Sequence, residues 1–498
     1  MPKGEIALQL GRSKLSFADA IGIAMGRKIT LAGAAKSRVL RSRKLVEKLA
    51  HGNRPIYGLN TGFGAFANRR VDRKDLRAMQ SNVIRSHAGG SGAPLLDEEV
   101  RLAMGLRLNA LLRGNSGVRY QLCLAIHSLI KAEIYPLVPE SGSVGASGDL
   151  IPLAHIGLGL MGEGKVRHRG KVVPAHAALR AARIKPYEFQ EKEGISFING
   201  TEIMQAVGGL ALSKILQLEQ AALRIGTLTF EALQGRVAAL DGRLHRLRNQ
   251  PGQVQIAKAM LQELRGSSLL SKRSSNGRVQ DSYSLRCMPQ VHGACRDALS
   301  HVRQVIEAEF NALTDNPVVF PESGEIVSGG NFHGEVLALN FDFAAMAASE
   351  LAAISERRLE LLCNPNFSSL PAFLTEHGGL ESGYMVLQYL SASLVNENKV
   401  LSHPACTDSI PGNVGIEDFV SMGMTSAKKL KRIAANLETV IAAELLAAAQ
   451  AIDLRGRPKL GKGSAETYAL LRRRVKPLKH DRVVADDIER AREVVCYL

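Results

Sequence analysis

Ser147 is the side chain whose setting most invites a chemical reading. It lies in Ser141-Gly142-Ser143-Val144-Gly145-Ala146-Ser147-Gly148-Asp149-Leu150. No G-x-S-x-G elbow surrounds it and no base is close in sequence, so serine-hydrolase chemistry is unsupported. By composition the segment is a flexible loop running into a helix, with Asp149 as N-cap and Pro152 in the first turn. A second glycine motif, Gly157-Leu158-Gly159-Leu160-Met161-Gly162, matches G-x-G-x-x-G literally. A dinucleotide site needs a strand before that motif and a helix opening inside it. Here Leu150–Ile156 reads as the start of a helix, and Glu163-Gly164-Lys165 leads on into a hairpin. The glycines are therefore read as places where another helix packs closely. There is no H-E-x-x-H and no Walker lysine loop, and the six cysteines (Cys123, Cys287, Cys295, Cys363, Cys406 and Cys496) form no C-x-x-C pair. Neither a metal nor a nucleotide cofactor is expected.

Gly145-Ala146-Ser147-Gly148-Asp149 resembles the signature of the histidine and phenylalanine ammonia-lyase family, its histidine branch above all. In that family the Ala-Ser-Gly tripeptide cyclises on its own backbone into a methylidene-imidazolone (MIO). The residue types suit that chemistry. Gly148 offers a backbone nitrogen unhindered by a Cβ, which reaches back to the Ala146 carbonyl carbon, and Ala146 is too small to block the approach. Ser147 supplies the hydroxyl that leaves as water. Flanking glycines permit the strained geometry of closure. Five further segments resemble family motifs in the family's order: Tyr57-Gly58-Leu59-Asn60-Thr61-Gly62-Phe63-Gly64, Phe197-Ile198-Asn199-Gly200-Thr201-Glu202, Gln280-Asp281-Ser282-Tyr283-Ser284-Leu285-Arg286-Cys287, Ser328-Gly329-Gly330-Asn331-Phe332-His333 and Ile416-Glu417-Asp418. The similarity runs from about Leu31 to Met424.

The resemblance implies roles at the matching positions. An electrophile built from Ala146, Ser147 and Gly148 makes the amino group a better leaving group. Tyr57 is the candidate base for the β-proton. An ordinary tyrosine has a pKa near 10, so positive charge or hydrogen bonds are expected to lower it. Arg286 holds the substrate carboxylate in a bidentate fork. Asn199 and Tyr283 polarise the MIO oxygen and position the amine. Gln280 lines the pocket and Phe332 packs beside the substrate ring. Taken singly, each residue has a structural reading: a packed loop tyrosine, an ion pair, an Asn-Gly turn, a core phenylalanine.

Two positions bear on the substrate. Ser86-His87 resembles the Ser-His pair of histidine lyases, where tyrosine lyases carry His-Leu and phenylalanine lyases commonly Phe-Leu. Glu417 matches a glutamate of histidine lyases, where the others have glutamine. A carboxylate and an imidazole hydrogen-bond an imidazole substrate, whereas a phenyl ring leaves them unpaired, at about 1–3 kcal/mol each. The expected reaction is L-histidine to urocanate and ammonia. A phenylalanine or tyrosine ammonia-lyase, or a related 2,3-aminomutase, is the alternative. Departures from the histidine pattern are Ile416 and Phe419 beside Glu417, Glu202 after Asn-Gly-Thr, and Met288. Ile416 and Phe419 are expected to make the surroundings of Glu417 more apolar.

These residues need a scaffold to hold them. Glu202–Leu240, Gln290–Leu313, Glu335–Leu362 and Thr425–Leu454 carry apolar residues at helical spacing, as Val336, Leu339, Phe343 and Met346 illustrate. Glycines and prolines are expected to cluster between these segments and not inside them. Lys165–Val173 alternates as a hairpin about His168-Arg169-Gly170. The expected fold is all-α, a long helical bundle of the aspartase/fumarase-like type. Residues 1–200 would carry the tyrosine and MIO loops, and residues 201–498 the long bundle and C-terminal helices. The resemblance also implies a homotetramer with active sites shared between subunits.

The chain's 498 residues are 45 % hydrophobic, ample for a core. The apolar stretch Ile433 to Leu454 is broken by Asn436, Glu438, Glu444, Gln450 and Asp453, as in a core helix and unlike a membrane span. Met1-Pro2-Lys3-Gly4-Glu5 lacks the pattern of a signal peptide, and scattered cysteines suit reduced buried thiols, so a cytoplasmic protein is expected. The net charge of +17 raises nucleic-acid binding as a distant alternative. Basic residues cluster at Lys36–Lys48, read as the outer face of a helix packed by Val39, Leu40, Val46 and Leu49, and at Arg472–Arg482. With 5 % aromatics and no tryptophan, no stacking platform accompanies them.

Overall fold

The computed structural model describes residues 7–50, 52–270 and 279–498; Met1-Pro2-Lys3-Gly4-Glu5 lies outside the described residues. Helices dominate, and the strands among the described residues are three or four residues long. The chain divides into two units. The first comprises Met1–Leu210, Arg303–Phe341 and Pro404–Lys428, and the second Ala211–Val302, Asp342–His403 and Lys429–Leu498.

In the first unit, helix Leu150–Met161 contains most of the G-x-G-x-x-G segment and ends at Gly162, whose φ of 77° is the left-handed cap glycine accepts readily. A Cβ at Gly157 would stand 2.9 Å from Ile84, and one at Gly159 would stand 2.5 Å from Pro136. Close packing accounts for both glycines, by a helix at Gly157 as expected but by the strand Ile134–Pro136 at Gly159. The hairpin is Lys165–His168 paired antiparallel with Lys171–Pro174, turning at Arg169 and Gly170. Helix Gly33–Ala50 carries the first basic cluster, with Val39 and Val46 inward but Leu40 45 % exposed. Arg43 is buried, against the reading of an all-outward charged face. It bonds Glu47 one turn on at 2.8 Å and Glu191 at 3.1 Å, and these carboxylates let a guanidinium sit inside.

In the second unit, every polar interruption of the long helix Gly423–Leu454 has a partner. Asn436 Nδ2 donates to Asn398 Oδ1 at 2.9 Å, and Glu438 pairs with Lys214 and Arg492, each at 2.8 Å. Gln450 brackets Leu478 through its backbone N–H and C=O, and Asp453 accepts from Tyr468 and Arg472. Arg358 grips Glu444 bidentately at 2.6 and 2.8 Å, with both side chains fully buried. Thr229 and Ser355 donate to the same carboxylate. Arg358 also donates to His292 Nε2 at 3.3 Å, and burial with two nearby cations holds that imidazole well below its usual pKa. Arg358→Ala strands Glu444 in the core. We expect it to remove about 3–5 kcal/mol of unfolding free energy in denaturant titration, and a loss under about 1 kcal/mol would show the pair to be dispensable.

One reading needs correction. Helix Glu202–Ala232 holds Gly208, Gly209 and Gly226 in its interior, so glycines are not confined to the connections. The first two meet the rings of Phe341 and Phe310, where a Cβ would crowd the aromatic side chain. The stripe Val336, Leu339, Phe343 and Met346 on helix Glu335–Cys363 is between 41 % and 52 % exposed, so it does not face the chain's own core. By length and composition this helix could cross a membrane, but 67 % of its most apolar window is buried inside the protein.

Candidate active site

The first unit contains a cavity of about 780 Å3 lined by residues from several of its loops. Five expected site residues meet there: Tyr57, His87, Ser147, Asn199 and Glu417.

The serine loop is pinned at both ends. Ser421 Oγ donates to the Gly145 carbonyl at 3.2 Å, and Asp149 N donates to the Gly200 carbonyl at 2.6 Å. Gly148 has φ of 73°, and a Cβ there would collide with the Gly200 backbone. Glycine is the residue that this close approach admits. Between the pins, Ala146 is buried and Ser147 reaches the cavity wall. Asp149 stands at the helix start, but its side chain does not cap that helix. Oδ2 accepts from Met204 N at 2.8 Å and Oδ1 from Ser143 Oγ at 2.9 Å. Full burial pushes its pKa up to about 7 despite these donors.

Asn199 follows helix Glu193–Ile198 directly, and its Nδ2 donates to Ile195 O at 3.3 Å. Buried Lys192 anchors that helix start, donating to Ser116 O at 2.8 Å and Ser196 Oγ at 2.6 Å and facing Asp315 at 3.6 Å. Glu202 is buried and paired with Arg107 at 2.7 Å, with Thr314 donating to the same oxygen at 3.0 Å. The structure thus gives this departure from glutamine an internal partner.

Glu417 accepts from Ser147 Oγ at 3.0 Å and from Asn413 Nδ2 at 3.4 Å. Asn413 also accepts from Ala65 N at 3.2 Å, tying the glutamate loop to the tyrosine loop. Sequence reading missed Asn413. Its signal was Pro411-Gly412-Asn413-Val414-Gly415, a turn in which Asn413 and Val414 both have positive φ. Ile416 and Phe419 are each 60 % exposed and neither lines the cavity. Within one chain they therefore do not make the surroundings of Glu417 apolar.

His87 ends helix Leu76–His87, with Nδ1 2.8 Å from the Val83 carbonyl. A carbonyl only accepts, so Nδ1 carries the hydrogen and Nε2 of the neutral ring offers a lone pair. Tyr57 OH accepts from Gly64 N at 3.4 Å. Its pKa is raised, first by burial and also by the negative charge of Glu417, and the Gly64 N–H only partly opposes this. The expected lowering is not found within one chain, where no lysine or arginine among the described residues lines the cavity.

Phe332 belongs to the first unit but does not line the cavity. Gln280, Tyr283 and Arg286 belong to the second unit and do not line it either. Tyr283 is 70 % exposed, and the Arg286 guanidinium lies over its ring at 4.5 Å.

Residues 15–473 match the profile of a family described as aromatic amino acid lyase. The chain belongs to that family. It is 46 % identical over 485 residues to a protein of Treponema denticola named histidine ammonia-lyase, covering 97 % of this chain and 95 % of that one. Among solved structures it resembles histidine ammonia-lyase from Trypanosoma cruzi, with TM-score 0.91, 36 % identity and coverage of 98 % and 93 %. It also resembles tyrosine aminomutase from Streptomyces globisporus, with TM-score 0.94, 34 % identity and coverage of 99 % and 97 %. The all-α aspartase/fumarase-like class holds for this aromatic amino acid lyase. Among its described residues, no group of three or more His, Cys, Asp or Glu side chains could hold a metal ion.

Proposed function

We propose that the chain is a histidine ammonia-lyase converting L-histidine to urocanate and ammonia. The observation that carries the substrate is that His87 and Glu417 line the same cavity, which gives it a ring-nitrogen lone pair and a carboxylate. An imidazole substrate offers a ring N–H to these acceptors, and its cation offers one to each, whereas a phenyl ring offers none and leaves both unpaired. Relatives at 44–47 % identity named histidine ammonia-lyase support this reading.

Ala146, Ser147 and Gly148 fit the precursor of the MIO group. Gly148 has the backbone freedom that ring closure needs, and fixed hydrogen bonds hold the loop on both sides. Once formed, that group supplies the electrophile that makes the amine a competent leaving group. Tyr57 takes the β-proton, Asn199 helps orient the amine side of the substrate, and His87 and Glu417 hold the imidazole. Glu417→Gln keeps the shape but weakens acceptance of the imidazole N–H. We expect kcat/KM for histidine to fall about tenfold to a hundredfold, with no comparable loss for phenylalanine. Equal losses for both amino acids would remove Glu417 from substrate selection.

The enzyme acts as a homotetramer with shared sites. The support is threefold: a cavity without a cation for the substrate carboxylate, an exposed Tyr283 stacked with Arg286, and an uncovered apolar stripe on helix Glu335–Cys363. In this reading Arg286, Tyr283, Gln280 and Phe332 reach the cavity of another copy. Co-expressing Tyr57→Phe with Arg286→Ala then yields mixed oligomers with activity well above either variant alone. No recovery would mean that each site is built from one chain. Six free cysteines support a reducing, cytoplasmic setting.

A further inference from the structure

The first unit has a second cavity, of about 400 Å3, that shares no residue with the first. Among the described residues four cationic side chains line it, Arg12, Lys14, Arg38 and Arg113, and no aspartate or glutamate does. None of the four is ion-paired among the described residues.

Two of these cations are held in place by neutral groups. Arg38 Nη2 donates to Gly11 O at 2.6 Å and to Leu112 O at 3.3 Å, and Arg113 Nη1 donates to Asn311 O at 2.6 Å. Carbonyl dipoles orient a guanidinium without cancelling its charge. The remaining N–H groups of both forks have no partner among the described residues. Asparagines brace the walls. Asn311 exchanges hydrogen bonds with Leu15 N and O at 2.7 and 2.8 Å, and Asn115 Nδ2 donates to Val319 O at 3.0 Å. Gly114, with φ of 89°, lets its loop lie against the Arg38 backbone, which brings Arg113 beside Arg38.

Four like charges facing one space repel one another, and a multivalent oxyanion relieves that repulsion while satisfying the forks. The volume is that of a small-ligand site. No aromatic residue lines it, so a stacking platform for a nucleic-acid strand is missing.

We propose that this cavity binds a small molecule carrying two or more linked phosphate groups. Such a site gives part of the +17 charge a purpose distinct from catalysis, and it stands independently of which amino acid is deaminated.

The test is calorimetric titration of the full-length protein with inorganic pyrophosphate at fixed ionic strength, beside Arg12→Gln/Lys14→Gln. Both side chains are exposed and neither braces the fold, so melting temperature and histidine turnover without added anion stay unchanged. The wild type should bind one pyrophosphate per chain, and the double variant should bind at least about tenfold more weakly. Citrate, a multivalent carboxylate, should bind about tenfold more weakly than pyrophosphate to the wild type if linked phosphates are what the forks select. Absence of saturable heat in the wild type, equal affinity in the double variant, or equal binding of citrate would each overturn the proposal.

Discussion

Ser147→Ala is expected to yield a folded protein that has lost at least about a thousandfold in kcat, roughly 4 kcal/mol of barrier lowering. The fold has little stake in this hydroxyl. Ser147 is half-buried on the cavity wall, and Oγ makes one hydrogen bond, to Glu417. Losing it costs about 0.5–1.5 kcal/mol. Glu417 keeps Asn413 as a donor, and the pins at Gly145 and Asp149 are untouched. On the proposed chemistry everything is at stake, because alanine has no hydroxyl to leave and no alkene can form. Urocanate absorbance measures the loss, while melting temperature and gel filtration check the fold. Retention of parental turnover would mean that the reaction does not need an electrophile at this position.

The second large effect is at Tyr57. Tyr57→Phe should lower kcat about 10²- to 10⁴-fold, the range for a positioned proton acceptor, with little change in KM. The pH profile adds a sign. A tyrosine base works as phenolate, so the rate climbs with pH toward its pKa. Burial and the charge of Glu417 raise that pKa, which places the climb on the alkaline side. Glu417→Gln removes the Coulomb part of the rise and should shift the ascending limb to lower pH. In Tyr57→Phe the residual rate should lose that limb. A limb that stays put in Tyr57→Phe would assign the β-proton to another group.

Local rules reached furthest where neighbours in sequence are neighbours in space. The hairpin Lys165–Pro174 follows from alternation and a glycine turn. The long helices follow from their apolar period, and the polar breaks in Gly423–Leu454 announced partners that the fold supplies. Boundaries moved where a glycine and a short 3₁₀ turn end the ordered run: the helix expected to reach Leu240 stops at Ala232. Periodicity shows that Val336, Leu339, Phe343 and Met346 share a face, but not what covers it. Burial of Arg43 depends on Glu191, far along the chain, and so was invisible to a reading of the basic cluster as surface.

The site divides in the same way. Ser147 and Glu417, singled out by their motifs, line one cavity and are hydrogen-bonded to each other. Asn413 was not singled out, because its part depends on a turn that brings two loops together. The direction of the Tyr57 shift was misjudged because it depends on which charge the fold places nearby. Within one chain that charge is Glu417, with no cation on the cavity wall.

The most direct test of the account is the intact mass of the untreated protein. Ring closure and loss of the Ser147 hydroxyl should leave the purified chain lighter than its sequence by the mass of two waters, with the missing mass in the peptide spanning Ala146 to Gly148. Ser147→Ala cannot lose the hydroxyl water. A wild-type chain of full sequence mass that still releases ammonia from histidine would contradict the account.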